Sequence, residues 1–75
     1  MQIIKGNIGG RIKRLRSLRN MTQEKFAERV GITQQYVGAL ELGNRTPSPG
    51  LLIAIAYKFR VSERWLRTGK APFPK

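Results

Sequence analysis

The sequence predicts an all-α fold of five short helices, and three observations predict it. Apolar residues recur at steps of three and four. Capping residues stand just ahead of those runs and glycines just behind them. No period-two alternation runs longer than chance, and there is no internal repeat or low-complexity stretch. Seventy-five residues leave room for one domain, and a domain of that size buries only roughly 60% of its unfolded surface. The expected organisation is a single unit over 1–75, with an N-terminal arm at 1–6 and a C-terminal tail at 69–75.

The first helix is expected from Ile8 to Arg19, because Ile8, Ile12, Leu15 and Arg19 share one helical face. Asn20, which tolerates a left-handed backbone, is its exit. Arg11, Lys13, Arg14, Arg16 and Arg19 make the helix strongly basic. Such a run is either a solvated face or a source of phosphate contacts. Ile3 and Ile4, ahead of it, suit either an arm against a second subunit or a cap on the core.

Thr22 is a good N-cap for a second helix, with Gln23 and Glu24 in its first turn, where negative charge meets the positive end of the helix dipole. Phe26, Ala27 and Val30 face inward. Gly31 ends the helix because, lacking Cβ, it accepts positive φ. Thr33 caps a third helix that runs to Leu42, with Val37 and Leu40 inward and Gly43 as its stop. Only about three residues separate the second and third helices, the spacing of a helix-turn-helix. Ser48 followed by Pro49 opens a fourth helix buried through Leu51, Leu52, Ile55, Ala56 and Phe59. Ser62 caps a fifth, anchored by Trp65 and Leu66 and ended by Gly69 ahead of the prolines at 72 and 74.

Composition narrows the chemistry. Fifteen Lys and Arg against four acids give a formal charge of +11, more than solubility needs and enough to attract a polyanion. Neither an uninterrupted apolar span nor a basic helix backed by Trp, Phe and Leu is present, so a membrane is not the expected partner. The first ten residues lack a secretory apolar region, and the expected address is cytoplasmic, at the nucleoid. Without Cys or His there is no disulfide framework, no thiolate or imidazole metal site, and no usual neutral-pH proton carrier. No phosphate-cradling loop or nucleophile elbow occurs. Binding without metal or cofactor is expected rather than catalysis.

The third helix carries the functional signal. A helix serving only a bundle usually exposes Glu and Lys, whereas this one offers Thr33, Gln34, Gln35 and Tyr36 at its N-terminal end without exposed charge. Gln can bond bidentately to adenine N6 and N7, and Thr can bond base edges or touch a thymine methyl. Gly38, in mid-helix, costs about 1 kcal/mol relative to Ala; it marks either close approach of a ligand to the backbone or simple tolerance. Arg16 lies one turn beyond Ile12 and Glu41 one turn beyond Val37, which suits an ion pair between the first and third helices; the alternative is an exposed acid.

The stretch from Thr22 to Arg45 resembles the helix-turn-helix of the phage repressor, Cro and XRE-type family. It has Gln23, Ala27, Gly31, Val37 and Leu40 at that family's positions, and the likeness extends from Ile8–Arg16 to Ser48, Ala56, Trp65 and Leu66. The resemblance implies a five-helix lambda-repressor-like domain reading double-stranded DNA with its third helix. It assigns base readout to Gln34 and Gln35 and phosphate contact to Gln23, with Asn44 and Arg45 on the sugar-phosphate backbone. Thr22, Thr33, Tyr36 and Gly38 complete the candidate DNA-contacting set, with Ala39. At that last position the family often has a longer polar reader, so Ala39 offers at most a thymine-methyl contact. The resemblance also implies an Arg16 to Glu41 bridge and dimer contacts around Trp65 and Leu66. The expected function is a transcriptional regulator, as a repressor, homodimeric on a pseudo-palindromic operator. Two alternatives compete. An antitoxin or other protein-interaction module of the same fold would need a longer disordered arm than these flanks supply. RNA binding would need an aromatic platform, whereas Phe26, Tyr36, Tyr57, Phe59, Trp65 and Phe73 are expected mostly in packing.

Overall fold

Side-chain caps and left-handed exits divide the chain into five helices: α1 (Ile3–Leu18), α2 (Gln23–Val30), α3 (Gln34–Leu42), α4 (Pro49–Phe59) and α5 (Glu63–Thr68). The structure is a computed structural model and describes residues 3–70, with side chains from Ile8 onward. The tail beyond Lys70, with Phe73 and its two prolines, lies outside the described residues, as do the side chains of Ile3 and Ile4. Among the described residues there is no strand.

Four helices start in the same way. The hydroxyls of Thr22, Thr33, Ser48 and Ser62 accept the backbone N–H three residues on, at 3.0–3.1 Å. Each satisfies an N–H that the helix itself leaves without a partner, worth typically about 1 kcal/mol. The exits are left-handed too: Gly31, Gly43 and Gly69 close α2, α3 and α5, while Asn20 and Arg60 adopt φ of 55° and 56°.

One expectation is corrected at the N-terminus. α1 begins at Ile3 rather than Ile8, so residues 3–6, expected as an arm, belong to the backbone of a 16-residue helix. Gly6, Gly9 and Gly10 depress helix propensity there and hide it from a propensity argument. Packing explains Gly9: a Cβ on it would run into the carbonyl oxygen of Leu40 and come within 2.8 Å of that of Glu41. Only glycine lets α1 cross α3 at this distance.

The core draws on every helix. Ile12 and Leu15 of α1, Phe26 and Ala27 of α2, Val37 and Leu40 of α3, Leu52, Ile55, Ala56 and Phe59 of α4, and Trp65 and Leu66 of α5 are all buried. Phe26 and Phe59 stack with ring centroids 4.9 Å apart, joining α2 to α4. Burying each large side chain in this set stabilises by roughly 1.5–3 kcal/mol before entropy is charged against it. α1 lies across α3 and α5, and α2 lies against α3 and α4.

Candidate nucleic-acid interface

The α2 to α3 junction is rigid for identifiable reasons. Gly31, at φ 89°, and Ile32 both donate their N–H to the carbonyl of Ala27, at 2.8 and 3.0 Å. Thr33 then starts α3 by accepting from the Tyr36 N–H. Val37 and Leu40 hold the inner face of α3 in the core. At its far end Asn44 and Arg45 turn back, their N–H groups donating to the Ala39 carbonyl at 2.9 and 3.3 Å. The Arg45 guanidinium sits 5.4 Å from the centroid of the Tyr36 ring, a cation–π contact that joins the loop to the first turn of α3.

At its N-terminal end this helix presents polar side chains outward. Gln34 and Gln35 are exposed, and neither amide has a protein partner among the described residues. Thr22 and Thr33 are exposed as well, but their oxygens already accept cap bonds, leaving the hydroxyl hydrogen and the methyl for anything else. Tyr36, Gly38 and Ala39 are half-buried. Leu42 is 77% exposed. Sequence reasoning missed it, although a residue seven after Gln35 falls on the same helical face.

Behind this face lies a charged network. Arg16 donates through Nε to Glu41 Oε2 at 2.7 Å and through a terminal nitrogen to Oε1 at 3.0 Å. Its other terminal nitrogen donates to the Met21 carbonyl at 3.0 Å. The two side chains retain 15% and 5% of their exposure, so the forked geometry acts in a partly dry environment. The hydrogen bond from Arg16 to Glu41 raises the guanidinium above its ordinary pKa. Gln23 joins them, donating from Nε2 to Glu41 Oε1 at 3.1 Å. The same Gln23 amide lies beside Gly38, where an added Cβ would stand 3.7 and 3.9 Å from its Oε1 and Nε2.

Other cations of α1 are directed into the fold. Arg11 donates to the carbonyls of Leu66 and Arg67 at 2.8 and 2.9 Å, and desolvation lowers its pKa. Arg19 donates to the Phe59 carbonyl at 2.8 Å. Both bind C-terminal carbonyls, of α5 and α4, which their helices leave without partners. Lys13 and Arg14 are exposed.

Trp65 and Leu66, read both as core anchors and as dimer candidates, are 5% and 0% exposed and lie in the core of the chain. One expectation changes. Tyr57, counted among the packed rings, is 84% exposed, whereas Phe26, Phe59 and Trp65 are buried. Among the described residues no group of three His, Cys, Asp or Glu side chains could hold a metal ion, and no helix is long and apolar enough to cross a membrane.

Comparison with known proteins agrees with this arrangement. The helix-turn-helix family HTH_3 matches residues 12–66. The uncharacterized HTH-type transcriptional regulator y4dJ of Sinorhizobium fredii is 37% identical over 68 residues, covering 88% of each chain. The HTH-type transcriptional regulator PrtR of Pseudomonas aeruginosa is 36% identical over 69 residues, which are 92% of this chain but 27% of that protein. The crystal structure of the restriction-modification controller protein C.AhdI from Aeromonas hydrophila superposes with a TM-score of 0.76 at 29% identity, covering 83% of this chain and 90% of the other.

Proposed function

The chain belongs to the HTH_3 family of Cro/C1/XRE-type helix-turn-helix proteins and is a DNA-binding transcriptional regulator; from that premise we propose that it is a sequence-specific repressor that binds as a homodimer. Proteins of this family are not enzymes. α3 lies in the major groove, with Gln34 and Gln35 bonded to base edges. Thr33 and Ala39 add methyl contacts, and Leu42 extends that apolar edge toward thymine methyls or sugars. Gln23, Thr22, Tyr36, Asn44 and Arg45 meet the sugar-phosphate backbone, which positions the helix without reading sequence. The site of action is nucleoid DNA in the cytoplasm.

The observation that carries this reading is the pair of exposed amides, without a partner among the described residues, at the N-terminus of a helix pinned on its other face. Rigid presentation matters because groups that need no ordering on binding lose little entropy there. The overall charge of +11 supplies the non-specific attraction. Two copies related by a two-fold axis would place their α3 helices in successive major grooves about 34 Å apart.

Selection of bound duplexes from a random pool tests all of this at once. The expected product is an inverted repeat whose half-site centres lie about one helical turn apart. For a complex with about six to ten phosphate contacts, affinity should fall on the order of 10³ to 10⁵ between about 50 and 200 mM salt. An unenriched pool, or a titration flat over that range, refutes the proposal.

A further inference from the structure

Gln23 is held in an unusual way for a residue assigned to a phosphate. Its Nε2 is already bonded to Glu41 Oε1, the oxygen that also receives an Arg16 terminal nitrogen. A carboxylate only accepts, so this partner fixes which end of the amide is nitrogen and which is oxygen. Arg16 in turn cancels a negative charge that would otherwise oppose DNA. One amide hydrogen of Gln23 remains for a further acceptor.

Gly38 completes the arrangement. Its φ is not positive, and among the described residues a Cβ there would meet only the Gln23 amide, at ordinary contact distance. Among the described residues nothing requires glycine at this position, unlike Gly9, and glycine weakens a helix. A methyl at position 38 would instead cover the flank of the Gln23 amide, against both Oε1 and Nε2.

We infer that Glu41 and Gly38 are positioning residues for Gln23: Glu41 orients the amide, and the missing side chain at Gly38 keeps its flank open to a DNA phosphate oxygen. The inference rests on the DNA-binding reading above and deepens it. Arg16 and Glu41 thereby serve binding as well as folding, with the ion pair as the fixed end of a lever whose free end meets the ligand.

The test is a double-mutant cycle on binding to the selected duplex, run well below the melting temperature of every variant. Gln23→Ala should weaken wild-type binding by about tenfold, the loss of one charge-assisted hydrogen bond. In a Glu41→Gln background the same change should cost less than about threefold, because the amide is no longer held. An equal factor in both backgrounds overturns the role of Glu41. Gly38→Ala provides a second arm that keeps the fold: the melting temperature should rise while binding weakens by about tenfold. A purely structural role would move the two together. Unchanged or tighter binding by Gly38→Ala overturns the role of Gly38. A wild-type chain that binds no duplex overturns the parent reading, and this one with it; wild-type binding with no coupling overturns this one alone.

Discussion

The first and third helices both display long polar side chains, and the two sets end in opposite places. In α1, Arg11, Arg16 and Arg19 each terminate on an acceptor of the protein: the Leu66 and Arg67 carbonyls, the Glu41 carboxylate with the Met21 carbonyl, and the Phe59 carbonyl. In α3, Gln34 and Gln35 have no partner among the described residues. The more highly charged helix is therefore the more structural one, and the helix with no free charge on its outer face is the one prepared for a partner. A guanidinium on a bare helix C-terminus both satisfies carbonyls and meets the negative end of the dipole. An amide has a weaker claim on such acceptors, so leaving it exposed forfeits little stability and keeps donor and acceptor together for a base edge.

The division can be broken most severely at the ion pair. Glu41→Ala leaves a partly buried guanidinium unpaired and should cost about 3–5 kcal/mol, lowering the melting temperature by more than about 12 °C. A melting temperature unmoved by that change removes the pair from the account of stability. Next come Arg11→Ala and Arg19→Ala, each stripping helix-end carbonyls of a charged donor at about 1–2 kcal/mol, with discount for their partial exposure. The slope of log affinity against log salt should stay as in the wild type for both, since neither cation is available to a phosphate. A slope shallower by a full unit would make them DNA contacts after all. Arg45→Ala sharpens the contrast from the other side: stability should hold within about 0.5 kcal/mol while the salt slope drops by about one.

The smallest effect lies at α5. A hydrogen bond from Arg67, across one helical turn, holds the Glu63 carboxyl below its ordinary range. A carboxyl depressed in the folded state contributes stability that is present above its unfolded value of about 4.3 and is lost as pH falls through the folded value. Glu63→Gln should accordingly matter less at about pH 3 than at about pH 7, in thermal melts at the two values. An equal difference at both would show the pair to be idle.

Much of this was legible in the residues. Thr22, Thr33, Ser48 and Ser62, with Gly31, Gly43 and Gly69, mark the ends of four helices because caps and left-handed exits are local chemistry. The start of α1 was not, since Gly9 is explained only by carbonyls of α3 that lie some thirty residues away in sequence. Arg60 closes α4 in a left-handed conformation that its side chain does not advertise. The destinations of Arg11 and Arg19 are likewise non-local: charge can be counted from sequence, but its acceptors lie 55 and 40 residues away. Trp65 illustrates the same limit, since an apolar residue on a short helix reads first as core, with an interface role compatible with it, until its neighbours are known.

The central claim is that the free amides of α3 read bases while cations and backbone only attract. Its most direct measurement is the ratio of affinities for the selected duplex and for a scrambled one, compared between the wild type and the Gln34→Ala/Gln35→Ala double variant. The account predicts a ratio lower by on the order of 10² or more, with affinity for the scrambled duplex unchanged. A ratio equal to that of the wild type would contradict it.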